Sequence, residues 1–155
     1  MKALVNTVFI LIISFTNALT DAPKNKLQSG WYLITDNQIA TTIKLNKSEK
    51  VYKIEKEIFI SVKSILDMEI TTERFGDKNH PILNFTLDND ASSRLGSLPS
   101  DYNNNRQMGL IINNKLIQVV TIFGKFSGNK ISMSSQYTKE ELIKLKKSIE
   151  DEKGN

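Results

Sequence analysis

Catalysis needs nucleophiles, acid–base pairs or metal ligands, and this chain offers few at workable spacing. Histidine occurs once, in Lys78-Asn-His80-Pro81, where it reads as a polar loop residue rather than a ligand or general base. Cysteine is absent, which removes disulfides, thiol catalysis and cysteine-based zinc sites. No serine has a base and an orienting acid near it in sequence, so a triad would have to assemble in space. Asp88-Asn-Asp90 opens like a calcium loop, but the sharp-turn glycine falls on Ser93 and the bidentate glutamate on Pro99. A helix N-terminus, whose positive end favours acids, accounts for both aspartates. Glycine-rich phosphate-binding motifs are missing. Asn46-Lys-Ser48 and Asn84-Phe-Thr86 match the glycosylation sequon, a short pattern that arises often by chance. The reading is of a non-enzyme: no catalytic residue, no cofactor and no metal. A hydrolase built from spatially assembled carboxylates is the enzymatic competitor, and its mark would be a concave pocket with convergent ionisable groups.

The elements that would hold any site are a set of strands and two helices. Gly30-Trp-Tyr-Leu-Ile-Thr35 is aromatic and β-branched, a strand whose Trp31 and Tyr32 suit a core with one polar end outward. Ile39 to Leu45 and Val51 to Ile60 are further β-prone segments around a polar turn. Ile65 to Thr72 is an ambiguous strand, and Phe75 to His80 reads as a loop. In Ile82 to Leu87, opened by Pro81, Leu83, Phe85 and Leu87 fall on one face, the period-2 pattern of a half-buried strand. Asp88 or Asn89 caps a short helix over Asp90 to Leu98, closed by Pro99. Ser100 to Gln107, with Asn103-Asn104-Asn105, is a polar loop.

Gly109 to Val120 carries two apolar runs around Asn113-Asn114, the pattern of a tight β-hairpin. A strand from Ile131 then feeds a final helix. Thr138 is its N-cap, Glu141 completes a capping box, and Tyr137 and Leu142 form a hydrophobic staple. Leu142, Leu145 and Ile149 make one stripe that must lie on a sheet. The lysines of this helix alternate with acids and read as a solvated face. The expected fold is α+β: one small domain, a mostly antiparallel sheet, a short helix and a C-terminal helix packed on one face.

Residues 1–18 read as a signal peptide, with Lys2 as a positive n-region and Ala3 to Phe15 as an apolar run, short for a bilayer span. Thr16 and Ala18 suit a cut after Ala18, with Ala22 as a later alternative. Residues 19–29 form a flexible lead, and 30–153 the domain, with no membrane span once the leader is removed. Lys2 leaves with it, so 20 of the 21 basic residues face 17 acidic ones, a net charge of +3. That balance, scattered and without a basic stripe, argues against nucleic acid. The expected location is periplasmic or secreted.

Three stretches together resemble the P1 head subdomain of SecD, the periplasmic part of the SecD/SecF accessory complex of the Sec translocase. Leu87-Asp-Asn-Asp-Ala-Ser-Ser-Arg-Leu95 is similar to a family stretch and keeps Arg94. Met108-Gly-Leu-Ile-Ile-Asn-Asn-Lys-Leu116 and Met133-Ser-Ser-Gln-Tyr-Thr-Lys-Glu-Glu-Leu142 resemble the next two, in the same order. The family's Asp-Gly turn is Asn113-Asn114 here, its small-small-Pro is Gln118-Val119-Val120, and its Gly and Ala near the last helix are Ser135 and Leu142. The resemblance implies a stand-alone exported head-like domain linked to protein export or the envelope, which binds a protein or peptide partner.

Candidate contact surfaces are the open edge of the sheet, where a peptide adds as a strand, and two loops. The first loop offers Tyr102, Asn104 and Arg106; the second, Ile122 to Asn129, offers Phe123 and Phe126 between glycines. The two phenylalanines serve equally well as aromatics shown to a partner or as packing under the last helix. A secreted inhibitor or immunity-type protein that blocks a toxin or hydrolase is the alternative. The oligomeric state has no signature in the sequence.

Overall fold

A computed structural model describes residues 26–98, 106–122, 124–134 and 137–154. The expected signal peptide, most of the lead, and Tyr102, Asn104 and Phe123 lie outside them. In chain order the elements are β1 (Gly30–Leu33), β2 (Thr41–Lys44), β3 (Val51–Ile54), β4 (Ile60–Ser61), a 3₁₀ turn at Val62–Ser64, β5 (Ile65–Phe75) and β6 (Lys78–Leu87). Then follow α1 (Asn89–Gly96), β7 (Arg106–Ile112), β8 (Lys115–Ile122), β9 (Lys130–Ser134) and α2 (Lys139–Lys153). This is α+β, with helices set against antiparallel strands.

The strands form three sheets rather than one: β4-β1-β7-β8, β5-β6-β9, and the β2–β3 hairpin. The four-stranded sheet is buried on both faces, which is why Met108 to Ile112 is a continuous buried run rather than an alternating one. On one face Trp31, Leu33, Met108 and Leu110 join Met68, Leu83, Phe85 and Leu87 of the three-stranded sheet in a shared core. Trp31 and Phe85 meet edge to face across it, ring centroids 5.1 Å apart. On the other face Tyr32, Ile111 and Leu116 are covered by Ile43, Tyr52 and Ile54 of the hairpin. Tyr32 keeps its polar end satisfied by donating to the Gln28 carbonyl at 2.8 Å.

Two segments depart from their sequence-based outlines. Val51 to Ile60 is two strands, because the exposed Glu55-Lys-Glu57 run carries the chain from the hairpin to the four-stranded sheet. Phe75 to His80 is not a loop: β5 and β6 continue to the pair Phe75–Lys78 and turn on Gly76-Asp77 alone. Gly76 takes φ 60°, and a positive φ at the first central residue is the requirement of a type II′ turn. His80 thus stands inside β6, in register with Glu73, and Pro81 lies one residue past the last pair with β9, Ile82–Ser134. There β6 is flanked on one side, the position a strand proline tolerates.

Asn113 and Asn114 hold φ 50° and 62°, both positive as a type I′ turn demands. This turn also pins neighbouring chain. Leu27 N–H donates to Asn114 Oδ1 at 2.7 Å, Asn113 N–H to Ser29 Oγ at 3.1 Å, and Asn113 Nδ2 to Ser148 Oγ of α2 at 2.7 Å. Asp88 caps α1 by accepting from Ala91 N–H at 2.8 Å, so its carboxylate is committed to the helix end. The Thr138–Glu141 capping box of α2 is complete, and Leu142 and Ile149 are fully buried in the shared core with Leu145 beside them.

Candidate functional site

An open sheet edge presents unpaired backbone donors and acceptors, and folded proteins usually block it. Two of the four edges of the larger sheets are blocked here. β4 is two residues long. Along β5, the α2 lysines reach back to the strand: Lys146 Nζ donates to the Met68 carbonyl at 2.7 Å, and Lys153 Nζ donates to the Ile65 carbonyl. Leu66 is a bulge at the same edge, skipped between Ile65 and Asp67, and a bulge further spoils pairing. Part of the face read as merely solvated therefore has a structural task.

β8 and β9 are the other two edges. The start of β8 is engaged: Asn46 N–H donates to the Leu116 carbonyl at 2.7 Å. Ile117 is a bulge opposite β7, between the pairs Ile111–Leu116 and Leu110–Gln118, and its carbonyl accepts from the Tyr137 hydroxyl at 2.9 Å. From Gln118 to Ile122 no described strand lies on the outer side of β8.

These two edges open onto one cleft of about 410 Å³, within the size range of binding sites. Leu95 of α1 and Met108 of β7 lie at its base, and Val120, Ile122, Phe126 and Ile131 line it. Lys125 and Lys130, both exposed, stand at its rim. Phe126 is half-buried and packs against the shared core, with its carbonyl close to Gly96 of α1. Arg106, exposed at the start of β7, is in register with the cleft residue Ile122. Of the five residues singled out for contact, the described pair thus falls at or beside this cleft. Val120, Lys130 and Ile131 were not singled out, because they join Ile122 only when β8 and β9 are folded next to each other.

A second hollow, about 490 Å³, lies where Lys26–Ser29 passes Ser61–Lys63, Asn113 and Glu152. Glu152 Oε1 is buried without a hydrogen-bond partner among the described residues. Lys26 and Lys63 stand at the same hollow, whose lining holds no histidine to pair with a nucleophile. Among the described residues no group of three histidine, aspartate or glutamate side chains is placed to hold a metal, and no helix is long and apolar enough to cross a membrane. Arg94, the motif residue kept in the family-like stretch, donates to the Phe59 carbonyl at 3.0 Å and ties α1 to the lead of β4. Its role visible here is structural.

Two core-sharing sheets, a covering hairpin and a capped C-terminal helix define a β-rich head domain with an open-edged cleft. Residues 37–150 match the family described as SecDF, P1 head subdomain, and the chain belongs to that family. Among solved structures, the crystal structure of SecDF in super-membrane-facing form is similar, with TM-score 0.55 and 10% identity. The match covers 72% of this chain and 17% of that one, so this chain corresponds to a small part of that protein's length. No curated protein matches.

Proposed function

We propose that this protein is a non-enzymatic extracytoplasmic domain, linked to protein export or the envelope, that binds extended segments of protein partners by strand addition in the β8/β9 cleft. The observation that carries this is the contrast between edges: β4 and β5 are short or blocked, while no described strand pairs with the outer side of β9 or of β8 from Val119 on, and both line one cleft that holds Val120, Ile122 and Ile131. An extended segment laid there satisfies edge backbone groups and seats alternate side chains on Val120, Ile122 and Ile131. Membership of the P1 head family supports the link to export, since that family's heads are extracytoplasmic parts of a translocase accessory complex. Residues 1–18 supply the export signal in this reading, removed after Ala18, which mass spectrometry of the exported protein checks directly.

Hydrogen exchange of the full chain with and without an unfolded exported polypeptide tests the binding mode. Amides of Gln118 to Ile122 and of Lys130 to Ser134 are expected to slow on binding, and a peptide interrupted by prolines, which lack the donor, is expected to leave them unchanged. Protection confined to other surfaces would sink the proposal. Capture of one stoichiometric folded partner from envelope extract, in place of many unfolded chains, would favour an inhibitor or immunity-type role instead.

A further inference from the structure

The cleft's charge is one-sided. Lys125 and Lys130 line it, Arg106 stands beside Ile122, and no aspartate or glutamate is among the described lining residues. None of these three cations forms an ion pair with a described residue. Four cations elsewhere do have acidic partners: Lys44 with Glu49, Lys47 with Glu141, Arg74 with Asp77, and Lys146 with Glu150. Beneath the rim, Val120, Ile122, Phe126 and Ile131 stand among the hydroxyls of Thr121, Ser127 and Ser132, so one cleft combines apolar seats with a basic border.

Strand geometry converts that combination into a sequence preference. In an added strand, successive side chains point to opposite faces. Those directed at Val120, Ile122, Phe126 and Ile131 meet apolar surface, while the intervening ones stand toward the rim lysines. We infer that the cleft selects extended segments with apolar residues at alternate positions and carboxylates between them, and disfavours segments with lysine or arginine there. This rests on the reading of the cleft as a strand-addition site. The effect is one of exposed ion pairs, each modest, so two or three together amount to about fivefold to tenfold in affinity.

Three fluorescently labelled peptides, identical at alternate valines and carrying Glu, Gln or Lys between them, test this by anisotropy against the full chain. The Glu peptide is expected to bind about fivefold more tightly than the Lys peptide at low salt, with Gln between. At 1 M salt, where screening acts within about 3 Å, the difference should collapse. The Lys125→Glu/Lys130→Glu variant, altered only at exposed positions and checked for folding by circular dichroism, should invert the order. Equal binding of all three peptides, or a Glu preference that the double variant leaves intact, overturns the selectivity while the cleft remains a peptide site. Binding of none of them removes the peptide site itself and the selectivity with it.

Discussion

Tyr137 joins three parts of the chain through one ring. Its hydroxyl donates to the Ile117 carbonyl that the β8 bulge leaves free, its ring lies 4.9 Å below the Lys47 ammonium, and Lys47 in turn pairs with Glu141. A bulge exposes an unpaired carbonyl whose burial without a partner would be costly, and the tyrosine removes that cost. The same knot makes Glu141 pH-sensitive. The Lys47 ammonium, foremost, and the Thr138 backbone N–H hold its carboxyl below the usual glutamate range. A carboxylate stabilised in the folded state contributes above its unfolded value, near about 4.3, and that contribution fades as pH falls through the lower folded value. Thermal unfolding should therefore show the parent chain above Glu141→Gln in Tm at pH 7, with the gap narrowing as pH falls below the unfolded glutamate value. A gap that does not narrow in acid would mean the substitution acts by something other than this charge.

At the scale of elements, α2 does two jobs, and only one was legible in the sequence. Its start and buried stripe follow from local signals: Thr138 with Glu141 for the cap, and Leu142, Leu145 and Ile149 for the core. The Asn113-Asn114 turn and the alternating Leu83, Phe85 and Leu87 were legible for the same reason, since their partners lie within a few residues or on one face. Lys146 and Lys153 were not, because a lysine that shields a strand 78 or 88 residues away is written like any solvated lysine. The cleft escaped likewise, being assembled from β8, β9 and Phe126 by tertiary contact. Phe75 to His80 misled because polar residues around Gly76 mask a hairpin whose strands simply continue. If the two lysines guard β5, Lys146→Ala/Lys153→Ala should lose about 1–3 kcal/mol in urea unfolding, and should self-associate through the uncovered edge. Sedimentation velocity reads the second effect; a strictly monomeric variant at high concentration would show that the edge needs no guard.

On the scale of the whole molecule, the four-stranded sheet is the centre, with the hairpin on one face and the three-stranded sheet and helices on the other. That layering explains how a chain with no cysteine holds together: two apolar faces of one sheet are each covered, and burial of this kind dominates folding stability. The β7–β8 turn adds a geometric consequence. It binds Leu27 through Asn114 and Ser148 through Asn113, and Lys26 and Glu152 border the same hollow. The path into the domain and the path out of it therefore share a corner, so the unit behaves as a cassette that a host polypeptide can carry on adjacent stems without being prised apart. Rewiring makes this measurable: a circular permutant joining Lys153 to Lys26 by a short flexible linker, with new ends opened at Gly76-Asp77, should fold with a Tm within a few degrees of the parent. Failure of that permutant together with a second one opened at Ser48, both of which carry the same join, would place the strain in the joined corner and deny the domain its portability.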